Sequence, residues 1–190
     1  MAVYIDVHST DIAKIDEIVE KLTPYSGVCI FIDITNSTDI KYMKGIDDWI
    51  LLLKNTFGVS EVQKKLRENV IKFIGDAIMF FIPDDSLYTE DDTINNTYSL
   101  LEEIFAGIDI LKMLHVDELH MKCKVSIHHC KDVYNITFFK GHNDYYGKDI
   151  DIAARLLTKA KENSIVNSET FYQKVLQDIE KTGENRIWGV

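Results

Sequence analysis

Proline is nearly absent from this chain: 190 residues contain two, Pro24 and Pro83. Both fall between stretches of periodic hydrophobicity, where a fixed φ and a missing N–H are tolerated, so no proline-rich linker divides the chain. Cysteine is scarce as well. Cys29, Cys123 and Cys130 are odd in number and lack C-x-x-C spacing, which excludes a disulfide framework. The run "HHC" sets His128 and Cys130 on one strand face, but no second ligand pair stands at a useful spacing, so zinc is not read here. No apolar run approaches the ~20 residues that span a bilayer. The opening "MAVYIDVHSTDIAK" has no basic region ahead of an apolar core, so no signal peptide is read and the expected location is the cytoplasm. Basic charge is also short: 21 Lys and Arg face 31 Asp and Glu, a net charge of −10, and the cations are scattered among acids. Such a chain repels nucleic acid and anionic membranes, and it can handle a polyanion only with metal ions bridging the charges.

What is present is ordinary for one sizeable globular domain, with 46% hydrophobic and 27% charged residues. Residues 10–22 carry Ile12, Ile15, Ile18, Val19 and Leu22 at helical spacing. "GVCIFIDI" (27–34) is short, apolar and β-branched, which predicts a strand. Residues 39–57 predict a helix with Ile46, Trp49, Ile50, Leu53 and Phe57 on one face. Strands over 69–74 and 77–82 meet at Gly75-Asp76, a pair that tolerates turn dihedrals. An acidic surface loop (83–93) precedes a helix over 94–114. Strands at 120–129 and 133–140, a turn, a helix at about 149–161, a strand at 164–167, a helix capped near Ser168 and a last strand at 186–189 complete the reading. The order β-α-β-β-α-β predicts an α+β, ferredoxin-like antiparallel sheet with helices on one face. Residues 1–26 read as an N-terminal helical extension and 27–190 as the main domain.

The segment "VIKFIGDAIMFFI" (70–82) is suited to an interior, yet it carries Lys72 and Asp76. Asp33 ends another apolar strand. In the ferredoxin-like order that strand lies beside the hairpin, so the two carboxylates can meet. Two poorly solvated carboxylates repel until one protonates or a cation binds, unless each is simply a turn former. Mg²⁺ or Mn²⁺ suits hard oxygen ligands and a phosphate substrate. After Asp33, "ITNST" ends the strand and starts a helix with Ser37 or Thr38 as its cap, and N–H groups at such a start attract anions.

"FIDITNST", "VIKFIGDAIMFF" and "NDYYGKDIDIAARLLTKA" together resemble the class III nucleotidyl cyclase catalytic domain. The three motifs come in the family's order and span roughly residues 27–168. The resemblance implies that Asp33 and Asp76 bind two metal ions, helped by the Ile34 carbonyl. It implies that Asn36, Ser37 and Thr38 contact the triphosphate, that Lys72 and Asp144 read the base edge, and that Arg155 stabilises charge at phosphorus. It also implies a head-to-tail homodimer, one subunit giving the metal aspartates and the other the base-reading pair and the arginine. The implied reaction is in-line attack of the ribose 3′-hydroxyl on the α-phosphorus of a nucleoside triphosphate, with loss of pyrophosphate.

Two positions depart from the family. Asn36 replaces a glycine, and Asn tolerates left-handed backbone better than most residues. Asp151 replaces an asparagine that positions the ribose; Arg155, one helical turn on, is placed to offset its charge as an i,i+4 pair. The Lys72/Asp144 pair resembles the adenylate type, which points to ATP. The bare domain instead resembles the short bacterial cyclases of the Pycsar antiphage systems, whose cyclic UMP or cyclic CMP is read by a separate effector. Tyr145 and Tyr146 fit a smaller pocket, and lysine with aspartate can read a uracil edge. UTP is therefore the favoured substrate, with CTP possible; ATP is the alternative, and a non-catalytic nucleotide-binding scaffold is the rival of another class.

Overall fold

The computed structural model describes residues 2–8, 12–35, 37–47, 49–50, 69–84, 97–98, 101–102 and 122–182. Its elements are β1 (Val3–Tyr4), α1 (Ile12–Glu20), β2 (Tyr25–Ile34), α2 (Ser37–Lys44), β3 (Val70–Ile74), β4 (Ala77–Pro83), β5 (Cys123–Thr137), β6 (Tyr145–Tyr146), α3 (Lys148–Leu157), β7 (Ser164–Asn167) and α4 (Glu169–Thr182). The acidic loop after Asp84, the strand at 186–189, residues 51–57 and most of 94–114 lie outside the described residues.

The principal sheet order is β1-β5-β2-β4-β3. Its centre, β5-β2-β4-β3, is antiparallel throughout, the ferredoxin-like order expected from the sequence. β7 adds to β5 in parallel and β6 pairs with it in antiparallel fashion. The chain is therefore a mixed α+β domain.

Helices cover both faces rather than one. On the first face Val28, Ile30, Ile32, Phe80 and Ile82 pack against Phe171 and Val175 of α4. On the second, Cys29, Phe31, Met79 and Phe81 pack against Tyr145 and against Ile150 and Ala153 of α3. The cause lies in β2 and β4. Their apolar runs do not alternate with polar residues, so both faces must be covered.

Two irregularities change the reading of the strands. The segments expected at 120–129 and 133–140 are one strand, β5. The step from Cys130 to Val133 there faces only the step from Gly27 to Tyr25 on β2. This one-residue bulge at Lys131–Asp132 interrupts the apolar pattern with polar residues, so the pattern alone reads as two strands. On β3, Val70 faces Phe80 while Lys72 faces Met79, so Ile71 is an extra residue. A regular strand would put Val70 and Lys72 on one face. The bulge instead sends Val70 to the α4 side and turns Lys72 toward the α3 side.

The helix expected over 39–57 is interrupted at Gly45, whose φ is 90°. Beyond the break Trp49 is buried, but Ile46 and Ile50 are exposed.

Candidate active site

β2 and β4 bring the first two acids together. Asp33 sits opposite Ala77, and Asp76 is the residue just before it, in the β3–β4 turn. Gly75 makes that turn with φ of 65°, a left-handed conformation suited to glycine. Partial burial pushes the Asp33 carboxyl above its ordinary value, and the negative charge of Asp76 pushes it further, while Lys124 pulls weakly the other way. The two carboxylates thus share one poorly solvated corner, as the strand order predicts. A cation between them would relieve both the desolvation and the repulsion, and the buried Ile34 adds a backbone carbonyl at the same strand end. The residues present fit a divalent metal.

α2 begins at Ser37, so Ser37 and Thr38 occupy its first turn rather than the cap. Ser37 is buried and Thr38 exposed. Asn36 lies outside the described residues.

Lys72 and Asp144, 72 positions apart in sequence, form a close pair: the ammonium donates to both carboxylate oxygens, at 2.8 and 3.1 Å. The Ile71 bulge makes this possible by turning Lys72 toward that face. Asp144 Oδ1 also accepts the Tyr145 N–H at 2.8 Å, and the Lys72 ammonium stands 5.2 Å from the centre of the Tyr146 ring. Tyr145 stacks on Phe81 with ring centres 4.3 Å apart, anchoring the segment to the sheet. Lys72 is neither a snorkelling surface lysine nor an unpaired buried charge.

Asp151 and Arg155 are exposed along α3. Asp151 lies in the first turn and Arg155 in the last, each where the helix dipole favours its charge. Among the described residues no ion pair joins them, so the i,i+4 compensation expected from their spacing is not formed.

Sequence reasoning missed Asp149. It is buried at the start of α3, and its Oδ2 accepts the backbone N–H groups of Lys131 and Asp132 at 2.7 and 3.1 Å. It read as one more acid in "GKDID", and only the bulge in β5 gives it partners. The histidines of "HHC" are likewise in use: His129 Nε2 bonds Asp84 at 2.9 Å, and His128 faces Asp149 and Thr170. Cys130 is buried in the core.

This α+β sheet, with paired acids at one strand end and a lysine–aspartate pair that joins β3 to the segment before β6, defines a candidate nucleotide-handling domain. The family model "Adenylate and Guanylate cyclase catalytic domain" matches residues 20–188, and the chain belongs to that family. No curated protein matches it in sequence. Among solved structures it is similar to the adenylyl cyclase CyaB from P. aeruginosa, with a TM-score of 0.70, 16% identity and 83% of each chain covered. It is also similar to the guanylate cyclase domain of RhGC from Catenaria anguillulae in complex with GTP, with a TM-score of 0.63, 17% identity, and 80% of this chain and 82% of that one covered. A third is a non-canonical dimeric guanylyl cyclase domain of the RhoGC fusion protein from the aquatic fungus Blastocladiella emersonii, with a TM-score of 0.64, 18% identity, and 80% and 84% covered. At these identities the likeness concerns the fold. No helix among the described residues is long and apolar enough to cross a membrane.

Proposed function

We propose that this protein is a nucleotidyl cyclase that converts a nucleoside triphosphate to its 3′,5′-cyclic monophosphate and pyrophosphate, with UTP as the favoured substrate and cyclic UMP as a messenger read by a separate effector. The observation that carries the reaction is the Asp33/Asp76 corner, where burial and mutual repulsion raise the Asp33 carboxyl. Asp33, Asp76 and the Ile34 carbonyl would hold two Mg²⁺ or Mn²⁺ ions. Bound there, the ions supply charge neutralisation and acidify the ribose 3′-hydroxyl.

The remaining work falls to the chain's own groups. Ser37 and Thr38 stand at the helix start that would receive the triphosphate, and Asn36, just before them in sequence, is assigned to the same contact by the motif. Lys72 and Asp144 hold the base edge, donor beside acceptor. Arg155 meets the charge that develops as the α-phosphorus is attacked in line, and Asp151 accepts from a ribose hydroxyl. Arg155 is exposed in the single chain, which fits a residue that completes a second subunit's site in a head-to-tail dimer. The exposed Phe73, Ile74, Phe139 and Ile152 offer apolar surface for that contact.

UTP is favoured because the Tyr146 ring stands against the Lys72/Asp144 pair and a uracil edge presents the acceptor and donor that the pair requires. ATP is the second reading, favoured by the identity of the pair itself. A scaffold without turnover is the rival, and Asp33→Ala separates it. In an enzyme that change abolishes cyclic product while the dimer stays folded. In a scaffold, nucleotide binding and assembly stay as they were and there is no product to lose.

A further inference from the structure

We infer that Asp149 is a positioning residue for the reaction: it pins the helix bearing Asp151 and Arg155 to the bulge in β5. This rests on the cyclase reading above. The bulge at Lys131–Asp132 takes those two residues out of the β2–β5 register, so their N–H groups are open to a partner from outside the sheet. One oxygen of Asp149 accepts both, at 2.7 and 3.1 Å. The rest of the first turn of α3 closes on the same place. Gly147 packs so tightly there that a Cβ would stand 2.3 Å from the Asp132 carbonyl oxygen, and Lys148 Nζ pairs with Asp132 at 3.1 Å. Gly147 gives the helix no side-chain cap. Asp149 thus ties the helix outward to the sheet. One turn further, Ser126 donates to the Ala153 carbonyl at 2.8 Å. Arg155, two residues beyond Ala153, inherits its direction from these anchors.

The second oxygen of Asp149 fixes which substitution should work in its place. His128 Nε2 lies 3.7 Å from it, is buried and has no hydrogen-bond partner. Thr170 Oγ1 donates to the His129 carbonyl at 3.0 Å and lies 2.9 Å from Ser168 Oγ and 3.3 Å from His128 Nδ1. An asparagine at 149 suits this pocket. Its oxygen keeps both backbone N–H bonds, and its amide takes the place of the oxygen that faces His128.

The test compares the full-length wild type, Asp149→Ala and Asp149→Asn, each alone and combined with Arg155→Ala. It measures steady-state turnover and amide hydrogen exchange over residues 148–157. We expect Asp149→Ala to lower kcat by about 10²-fold, because small misplacements of a catalytic group cost that much. We expect it to speed exchange in α3 at least tenfold while the central strands stay protected, an order of magnitude typical of releasing one local unit. Asp149→Asn should restore both. In the Arg155→Ala background Asp149→Ala should add little, since the two act through one group. Unchanged exchange in α3, additive losses with Arg155→Ala, or an Asp149→Asn variant as impaired as Asp149→Ala would each overturn the inference. If the wild type turns over no nucleotide, the cyclase reading fails and a role in the reaction falls with it. The exchange data would then still record whether Asp149 holds the helix.

Discussion

At neutral pH Asp33 holds a charge that its surroundings resist. Burial first, and Asp76 second, raise its carboxyl above the ordinary value. A carboxyl raised in the folded state stabilises the fold while it is protonated, below the unfolded value. That contribution is lost as pH rises through the raised one. Without divalent cations, Asp33→Asn should therefore raise the neutral-pH Tm by about 2 °C, read by thermal unfolding, while losing all turnover. A drop in Tm would mean that Asp33 is a structural turn former. Lys72→Ala should cut kcat/KM by roughly 10²-fold, the cost of removing a charge-assisted contact to substrate, and leave Tm within about 2 °C because the pair is partly solvated. Both acids and the Lys72–Asp144 partnership were legible in the sequence because each lies at the end of an apolar run or in a motif. Asp149 was not, since its partners are backbone groups freed by an irregularity that residue types do not announce.

Elements set where those residues point, and here two bulges matter more than propensity. The order of strands followed from the alternation of apolar runs and turn residues. The bulges at Ile71 and at 131–132 did not, because a single extra residue leaves composition unchanged while reversing a face. The helix start after β6 is held just as closely. Gly147 has φ of 152° and meets the Asp132 carbonyl, so Gly147→Ala should destabilise the protein by roughly 2 kcal/mol, measured by denaturant unfolding, from backbone strain at such a site. At the far end of β4, burial alone would raise Asp84, but hydrogen bonds from His129, Ser26 and Lys174 overcome it and hold the carboxyl well below the usual range. A depressed carboxyl stabilises the fold above the ordinary carboxylate value, near pH 4, and that support fades as pH falls below it. Stability should decline on acidification over that range, and Asp84→Asn should flatten the decline in a series of unfolding curves.

For the whole molecule, the candidate residues fall into two groups: Asp33 and Asp76 at the β2 end and the β3–β4 turn, and Lys72, Asp144 and Arg155 toward the α3 side. In the proposed head-to-tail dimer, the acids of one chain would meet the Lys72, Asp144 and Arg155 of the other. Mixing Asp33→Ala, which has no turnover, with Arg155→Ala, which keeps only a small residual rate, should restore about a quarter of wild-type turnover, because random pairing makes half the dimers mixed and each mixed dimer keeps one intact site. No recovery would mean that each chain works on its own residues. The sheet core was readable from hydrophobic pattern because burial dictates it. The second covered face was not, since an unbroken apolar strand does not say what will pack on it. The most direct test of the account is turnover itself. Purified protein is incubated with Mn²⁺ or Mg²⁺ and ATP, GTP, CTP or UTP in separate reactions, with Asp76→Ala as control, and products are identified by mass. The account predicts cyclic UMP from the wild type and none from the variant. Cyclic AMP as the main product would contradict the uridine assignment, and no cyclic product from any nucleotide would contradict the enzyme.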